Sequence, residues 1–188
     1  MRKDFKPASY MYPQPVLMIG SYDENGVADV MNAAWGCISD YKQVAVYLAH
    51  DHKTVKNILK TKAFSVSMAD EDHVVEADYV GVVSANKEPH KVEKAGLHVV
   101  KSEHINAPLF EEFALTLECE MVSYDEESEL MLGNIVNVSA DERILNEEGK
   151  IDPFLLKPIT YDPVGHTYIS LGKKVGNAFK DGLKLKGE

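Results

Sequence analysis

Runs of apolar residues divide the chain into many strands and a few helices. Alternating or continuous apolar runs predict strands at 16–22, 27–35, 43–49, 63–69, 113–122, 130–138 and 168–171. Helical spacing predicts helices at 51–60 and 71–82, a short helix at 87–95 ended by Gly96, and an amphipathic C-terminal segment at 175–183. An Asp-Glu-Asn-Gly turn joins the first two strands as a hairpin. Many strands with short turns favour a mainly β, antiparallel barrel with helices around it.

The strands and helices differ in which faces they are expected to bury. Both faces of 43–49 are apolar, so this strand is predicted to be covered on both sides. In 113–122, apolar residues alternate with Glu118 and Glu120, which predicts one exposed face. The predicted apolar side of 130–138 consists of Leu130, Leu132, Val136 and Val138. Asp51 is the predicted N-cap of the first helix, and the apolar positions of the second are Val74, Val75 and Tyr79.

Composition and charge narrow the classes of function. A length of 188 residues suits one well-packed domain, so residues 1–188 are predicted to form a single domain. The formal net charge of −10 argues against nonspecific nucleic-acid binding, which needs a basic surface. Cys37 and Cys119 form no CxxC pair, which indicates reduced thiols in a cytoplasm. We see no signal peptide and no apolar stretch long enough to span a membrane.

Two neighbouring stretches carry the best candidate chemistry. Residues 29–35 hold the only tryptophan among small side chains, which let a flat ring approach the backbone while Asn32 supplies hydrogen bonds at its edge. Residues 52–54, His-Lys-Thr, begin a predicted helix, and helix N-termini bind anions through free N–H groups. Together they indicate a mononucleotide cofactor. Each stretch also has an ordinary interpretation. Residues 29–35 would be a strand end whose Trp35 packs in the core, and residues 52–54 would begin a capped surface helix.

The order of the motifs resembles the FMN-binding split-barrel proteins, and within them the flavin reductase-like or flavoredoxin-type branch. The similar motifs are Asn-Ala-Ala-Trp at 32–35, the basic Lys-Thr helix start at 52–54, Lys-x-Glu-Lys-Ala-Gly-Leu at 91–97, and segments at 107–120, 133–136 and 168–172. The resemblance covers most of residues 13–180. It implies an antiparallel FMN-binding split β-barrel with peripheral α-helices, and a homodimer with flavin near the subunit interface.

The same resemblance implies which residues bind FMN. Those beside the isoalloxazine ring, where a backbone N–H or the side chain at 32 can bond the O4 and N5 edge, are Asn32, Ala33, Ala34 and Trp35. Those at the phosphate are His52, Lys53 and Thr54. Candidates near the ribityl chain and phosphate are Ser84, Lys87 and Lys91. The family's pattern has Gly and Asp where this chain has Ala85 and His90, so the two lysines are weaker candidates than Ser84.

The resemblance leaves several functions open. The prediction is an oxidoreductase in which FMN accepts hydride from NADH or NADPH and passes electrons to free flavin or another acceptor. The alternatives are a flavoredoxin-like carrier reduced by a protein partner, and a non-enzymatic flavin-binding protein. No catalytic side chain is assigned, because flavin N5 is expected to carry the chemistry. No GxGxxG motif and no metal-ligand set are found, and Cys37 is expected to be a small buried filler rather than a substrate contact.

Overall fold

The computed structural model describes residues 1–186, which form a mainly β structure with short helices around it. Within this range the strands are β1 (Gln14–Pro15), β2 (Leu17–Tyr22), β3 (Ala28–Ala33), β4 (Gly36–Asp40), β5 (Gln43–Tyr47), β6 (Ala63–Met68), β7 (Val99–Lys101), β8 (Pro108–Phe110), β9 (Leu115–Asp125), β10 (Leu130–Ala140), β11 (Ile159–Asp162) and β12 (Thr167–Ser170). The α-helices are α1 (Lys53–Thr61), α2 (Val74–Val82), α3 (Lys91–Lys94) and α4 (Pro153–Leu156). Short 3-10 helices lie at Glu71–His73, Glu142–Ile144 and Asp181–Leu185.

A seven-stranded antiparallel sheet, in the order β3-β2-β6-β9-β10-β5-β4, forms the wall of the barrel. Ile19 in β2 and Val46 in β5 are fully buried in the same apolar core, so the sheet curls until distant strands face each other. A Cβ added to Gly36 in β4 would lie 2.6 Å from Leu17 in β2, so the two sides nearly meet. Helix α1 packs Val55 and Ile58 into this core.

A second apolar core lies on the other face of β2 and β3. Met18 and Val30 pack there against Ala77 and Val80 of α2. The prediction that Val74, Val75 and Tyr79 form the buried face of this helix is partly wrong, because Val75 is 77% exposed. Two small antiparallel sheets, β1-β11-β12 and β7-β8, complete the structure. No helix in residues 1–186 is long and apolar enough to cross a membrane.

The predicted antiparallel barrel with peripheral helices is confirmed, but several local expectations are wrong. The N-cap of α1 is His52 rather than the predicted Asp51, and no side chain makes a capping hydrogen bond there. The helix expected at 87–95 is confined to α3, which Gly96 follows in the left-handed conformation at φ +72°. The segment at 175–183 is not an amphipathic helix, since only the 3-10 helix at its end is regular. Strands β4, β7, β8 and β11 and helix α4 were not predicted.

The buried faces of β9 and β10 also differ from the predicted ones. Met131 is fully buried, whereas Val136 and Val138 are nearly half exposed. Register shifts between Leu132 and Gly133, and between Ile135 and Asn137, break the alternation of β10 against β9. Glu118, expected on an exposed face, is 1% exposed, and Ser102 and Asn137 donate hydrogen bonds to its carboxylate. The buried carboxylate is thus satisfied, as burial of a charge requires.

Candidate functional site

Two cavities adjoin in one cleft between the barrel and α2. The larger measures about 560 Å³ and the smaller about 240 Å³. Met31, His52, Gly81 and Val82 line both cavities, so the two are continuous along a shared wall. Strand β3 supplies one side of the cleft, and the end of α2 supplies another. A ligand with two chemically different ends can therefore occupy both cavities at once.

The smaller cavity lies at the N-terminus of α1. His52, Lys53 and Thr54, the predicted phosphate residues, all line it. The first backbone N–H groups of a helix have no partner within the helix, and here no side chain caps them. The Lys53 ammonium is 3.7 Å from a carboxylate oxygen of Asp23. Free N–H groups beside a cationic side chain form a site for an anion.

A buried polar cluster lies beneath this anion site. The Thr54 hydroxyl donates a hydrogen bond to Asp29 Oδ2 at 2.6 Å. The Lys91 ammonium lies 3.2 Å from Asp29 Oδ1, an ion pair without hydrogen-bond alignment, and donates to the carbonyl oxygens of Val80 and Val83 at 3.2 and 3.1 Å. Both charged side chains are about 5% exposed or less. The cluster ties β3, α1, α2 and α3 together around the cavity.

The polar side-chain groups of Thr54 and Lys91 thus belong to this buried cluster, while the binding of FMN by these residues stays a prediction. Both residues line the smaller cavity, but the Thr54 hydroxyl proton and the Lys91 ammonium are turned toward Asp29. Thr54 still begins α1, so its backbone N–H remains one of the free donors.

The segment between α2 and α3 closes the smaller cavity from outside. Ser84 lines the cavity, as expected, and its hydroxyl accepts a hydrogen bond from the Asn86 backbone N–H at 3.3 Å. The Asn86 side chain donates to the Asp51 carbonyl at 3.2 Å, which ties this segment to the start of α1. Lys87 is exposed and lines neither cavity, so the structure does not bring it to the other site residues.

The larger cavity is walled mainly by apolar and aromatic side chains. Asn32, Ala33, Ala34 and Trp35 all line it, as predicted for a ring site. Trp35 is 54% exposed, so the interpretation that it packs in the core is wrong. Among the residues that the structure describes, its lining has the carboxylates of Asp78 and Glu129 but no Lys or Arg. The mainly apolar and aromatic walls suit a planar ring, and the two carboxylates make the lining acidic.

The amide of Asn32 is held by α2 and β12. Its Nδ2 donates to the Ala77 carbonyl at 3.1 Å and to the Tyr168 hydroxyl at 3.4 Å. Tyr168 in turn donates to Asp78 Oδ1 at 2.8 Å. A Cβ on Gly81 would lie 2.9 Å from Asn32 Cβ, so only glycine allows α2 to approach β3 this closely. Both N–H groups of the Asn32 amide are therefore engaged within the protein, and the expectation that this residue bonds the ring edge stays a prediction.

Several lining residues escaped the sequence reasoning. These come from α2, from the β9–β10 turn and from the β11–β12 hairpin, and they are Asp78, Gly81, Val82, Glu129, Tyr161 and Tyr168. Tyr168 begins one of the similar segments but was given no role in the site, and no motif marks the other five, because only the fold brings these distant segments together. Cys37 is exposed rather than a buried filler, and it lines neither cavity.

Comparison with known proteins finds a matching family, similar structures and a similar sequence. Residues 9–165 match the flavin reductase like domain. The structure is similar to flavoredoxin of Desulfovibrio vulgaris (Miyazaki F), with a TM-score of 0.92, 30% sequence identity and coverage of 97% of this chain and 100% of that one. For flavoredoxin from Methanosarcina acetivorans the TM-score is 0.86, with 27% identity and coverage of 98% and 100%. An uncharacterized protein of Aeropyrum pernix is 29% identical over 118 residues, which span 62% of this chain but only 44% of that relative.

Proposed function

Because the chain belongs to the flavin reductase like domain family, we propose that it is an FMN-binding oxidoreductase with a split-barrel fold. Membership of this family supports a flavin-related redox function. The observation that carries the proposal is the cleft in which a mainly apolar cavity shares a wall with an anion site at the start of α1. Isoalloxazine fits the first part and a single phosphate fits the second. One helix N-terminus offers no second pyrophosphate-binding loop, which favours FMN over FAD.

Different residues of the cleft bind different parts of FMN. The N–H groups that begin α1 and the Lys53 ammonium hold the phosphate, and His52 lies between phosphate and ring because it lines both cavities. Asn32, Ala33, Ala34 and Trp35 orient the ring. When bound, FMN supplies the redox chemistry at N5, so the protein contributes orientation, hydrogen bonding and exclusion of water.

In the first form of the proposal, the electron donor is NADH or NADPH. FMN, held by Lys53 and the start of α1, would supply a hydride acceptor for nicotinamide and an electron donor for free flavin or another acceptor.

A second candidate is a flavoredoxin-like electron carrier reduced by another protein. The acidic rim formed by Asp78 and Glu129, without Lys or Arg in the described lining, gives the phosphates of a dinucleotide no cationic partner. An acidic rim suits a partner protein with a basic surface. The similarity to two flavoredoxins points the same way. A non-enzymatic flavin-binding protein is the remaining alternative.

We also propose a homodimer in a cytoplasmic, reducing compartment. The support is an exposed apolar surface on the outside of the barrel and on the C-terminal segment, to which Ile38, Tyr41, Val136, Val138, Val175 and Phe179 contribute. Such surfaces mark contact sites in proteins of this size. Both cysteines are free, as a reducing compartment requires. Light scattering at micromolar concentration with FMN bound tests the assembly, and a monomeric mass would contradict it.

Two measurements test the function. Calorimetry with FMN, FAD and riboflavin should show one FMN per chain, bound more tightly than the other two. Anaerobic mixing with NADH or NADPH should then bleach the flavin absorption on the timescale of turnover. Bleaching supports the first form of the proposal. If neither nucleotide reduces a flavin that dithionite does reduce, the carrier is favoured, and absence of any flavin binding would refute the proposal as a whole.

A further inference from the structure

The amide of Asn32 has only one possible orientation in this structure. Its terminal atom near Ala77 faces a backbone carbonyl oxygen at 3.1 Å, and a carbonyl can only accept a hydrogen bond. That atom must therefore be the nitrogen. The same nitrogen lies 3.4 Å from the Tyr168 hydroxyl. Both amide N–H groups thus have partners, and Oδ1 is the polar atom that is left.

Tyr168 and Asp78 fix the direction of the second of these hydrogen bonds. The Tyr168 hydroxyl lies 2.8 Å from Asp78 Oδ1, and an ionised carboxylate can only accept, so the phenol proton points to Asp78. The phenol oxygen then accepts from Asn32. Burial and the hydrogen bond to Asp78 raise the pKa of Tyr168 to about 12, so the phenol keeps its proton at neutral pH. The hydrogen bonds run in one direction, from Asn32 through Tyr168 to Asp78.

Among the described residues, Oδ1 of Asn32 is a free acceptor on a side chain that lines the larger cavity. Within residues 1–186 no donor contacts it, and it is not sealed from solvent as Asp29 Oδ1 and His52 Nδ1 are. Asn32 itself lines the larger cavity. Hydrogen bonds that leave the nitrogen polarise the amide and strengthen its oxygen as an acceptor.

We infer that Asn32 is a fixed hydrogen-bond acceptor for a ring N–H of bound flavin, and that Tyr168 and Asp78 are positioning residues that keep its amide from turning. This inference rests on the proposed function. Isoalloxazine carries N3–H in both redox states and N5–H only when reduced. Contact with N3–H would strengthen binding of both states, whereas contact with N5–H would favour the reduced state.

The full chain and five variants separate these cases. Asn32→Leu removes the acceptor at similar size, and Tyr168→Phe removes the phenol that holds the amide. Asp78→Asn keeps an acceptor for the phenol, whereas Asp78→Ala does not. Tyr124→Phe is the matched control, because Tyr124 lines neither cavity and its hydroxyl donates to the Leu48 carbonyl at 2.8 Å instead. The probes are FMN and its N3-methyl analogue, by calorimetry, and the midpoint potential of bound FMN.

A neutral hydrogen bond corresponds to roughly two- to tenfold in affinity. If the contact is to N3–H, Asn32→Leu weakens FMN by that factor and leaves the N3-methyl analogue unchanged. If it is to N5–H, the same variant lowers the midpoint potential by about 10 to 30 mV, the equivalent of that factor for two electrons. Tyr168→Phe and Asp78→Ala show a smaller change in the same direction, while Asp78→Asn and Tyr124→Phe keep the parent values.

Two results would overturn the inference. One is an equal loss of affinity for both flavins in Asn32→Leu with an unchanged potential. The other is an effect of Tyr124→Phe as large as that of Tyr168→Phe, which would mean a general response of the fold to the loss of a tyrosine hydroxyl. Failure of the parent protein to bind any flavin would be a different result, since it refutes the proposed function first.

Discussion

Replacing Lys91 by methionine should destabilise the protein strongly. The side chain of Lys91 is 3% exposed and that of Asp29 is 5% exposed, and the ammonium faces one carboxylate oxygen and two carbonyls at 3.1 to 3.2 Å. Methionine fills similar space but leaves all three acceptors without their donor. Removing one partner of a buried ion pair typically costs about 3–5 kcal/mol. Domains of this kind are stable by about 5–15 kcal/mol, so the variant should still fold.

Urea unfolding followed by circular dichroism measures this loss. The double variant Asp29→Asn/Lys91→Met should lose less than the sum of its single changes, because no charge is then left unpaired. The matched control is Lys150→Met, which breaks an exposed pair with Glu148 and should change the free energy of unfolding by less than about 1 kcal/mol. A loss below about 1 kcal/mol for Lys91→Met would refute the structural role. If FMN affinity then fell while riboflavin affinity held, Lys91 would be a phosphate ligand, as the sequence suggested.

Three further predictions concern single side chains. Lys53→Ala should weaken FMN binding about tenfold, near the lower end for a charge-assisted contact, because the Lys53 side chain is 35% exposed. Calorimetry should find the affinity for riboflavin unchanged. Equal losses of affinity for FMN and riboflavin would contradict the phosphate assignment. Under native conditions a thiol reagent should label Cys37 but not Cys119, because burial raises the pKa of Cys119 to about 12; rapid labelling of both would contradict the buried site. The hydrogen bond to Glu112 raises the pKa of His98 above 6.5, so the stabilisation by this pair is present below pH 6.5 and lost as pH rises through the raised value. By NMR titration, Glu112→Gln should return the pKa of His98 toward 6.5, and an unchanged value would refute the pairing.

Local periodicity was sufficient for the regular elements with strong apolar patterns. The β2–β3 hairpin, α1 and α2 were found because each buries an apolar stripe at the spacing of its structure. Strand β4 was missed because nearly all of it is exposed, so its residues carry no burial pattern. Strand β10 was found but its buried face was misjudged. Two register shifts interrupt the period of two, and sequence alone does not show them.

The candidate site could be predicted only where consecutive residues form it. Asn32 to Trp35 and His52 to Thr54 are contiguous stretches, and both do line the cleft. Asp78 and Tyr168 are 90 residues apart, and their contact depends on how α2 packs over the barrel. Side-chain direction was also hidden, since nothing in the sequence shows that Lys91 turns inward.

Because the two cavities share a wall, the affinity of a ligand that fills both depends on how its two ends are joined. A free phosphate ion and a bare ring such as lumiflavin would each fill one cavity, and each would lose its own translational and rotational freedom. A molecule that joins them loses that freedom once, so its affinity exceeds what the separate fragments suggest. The ribityl chain would then act as a tether across Met31, His52, Gly81 and Val82. Tether length, rather than either end alone, would set which flavins this cleft retains.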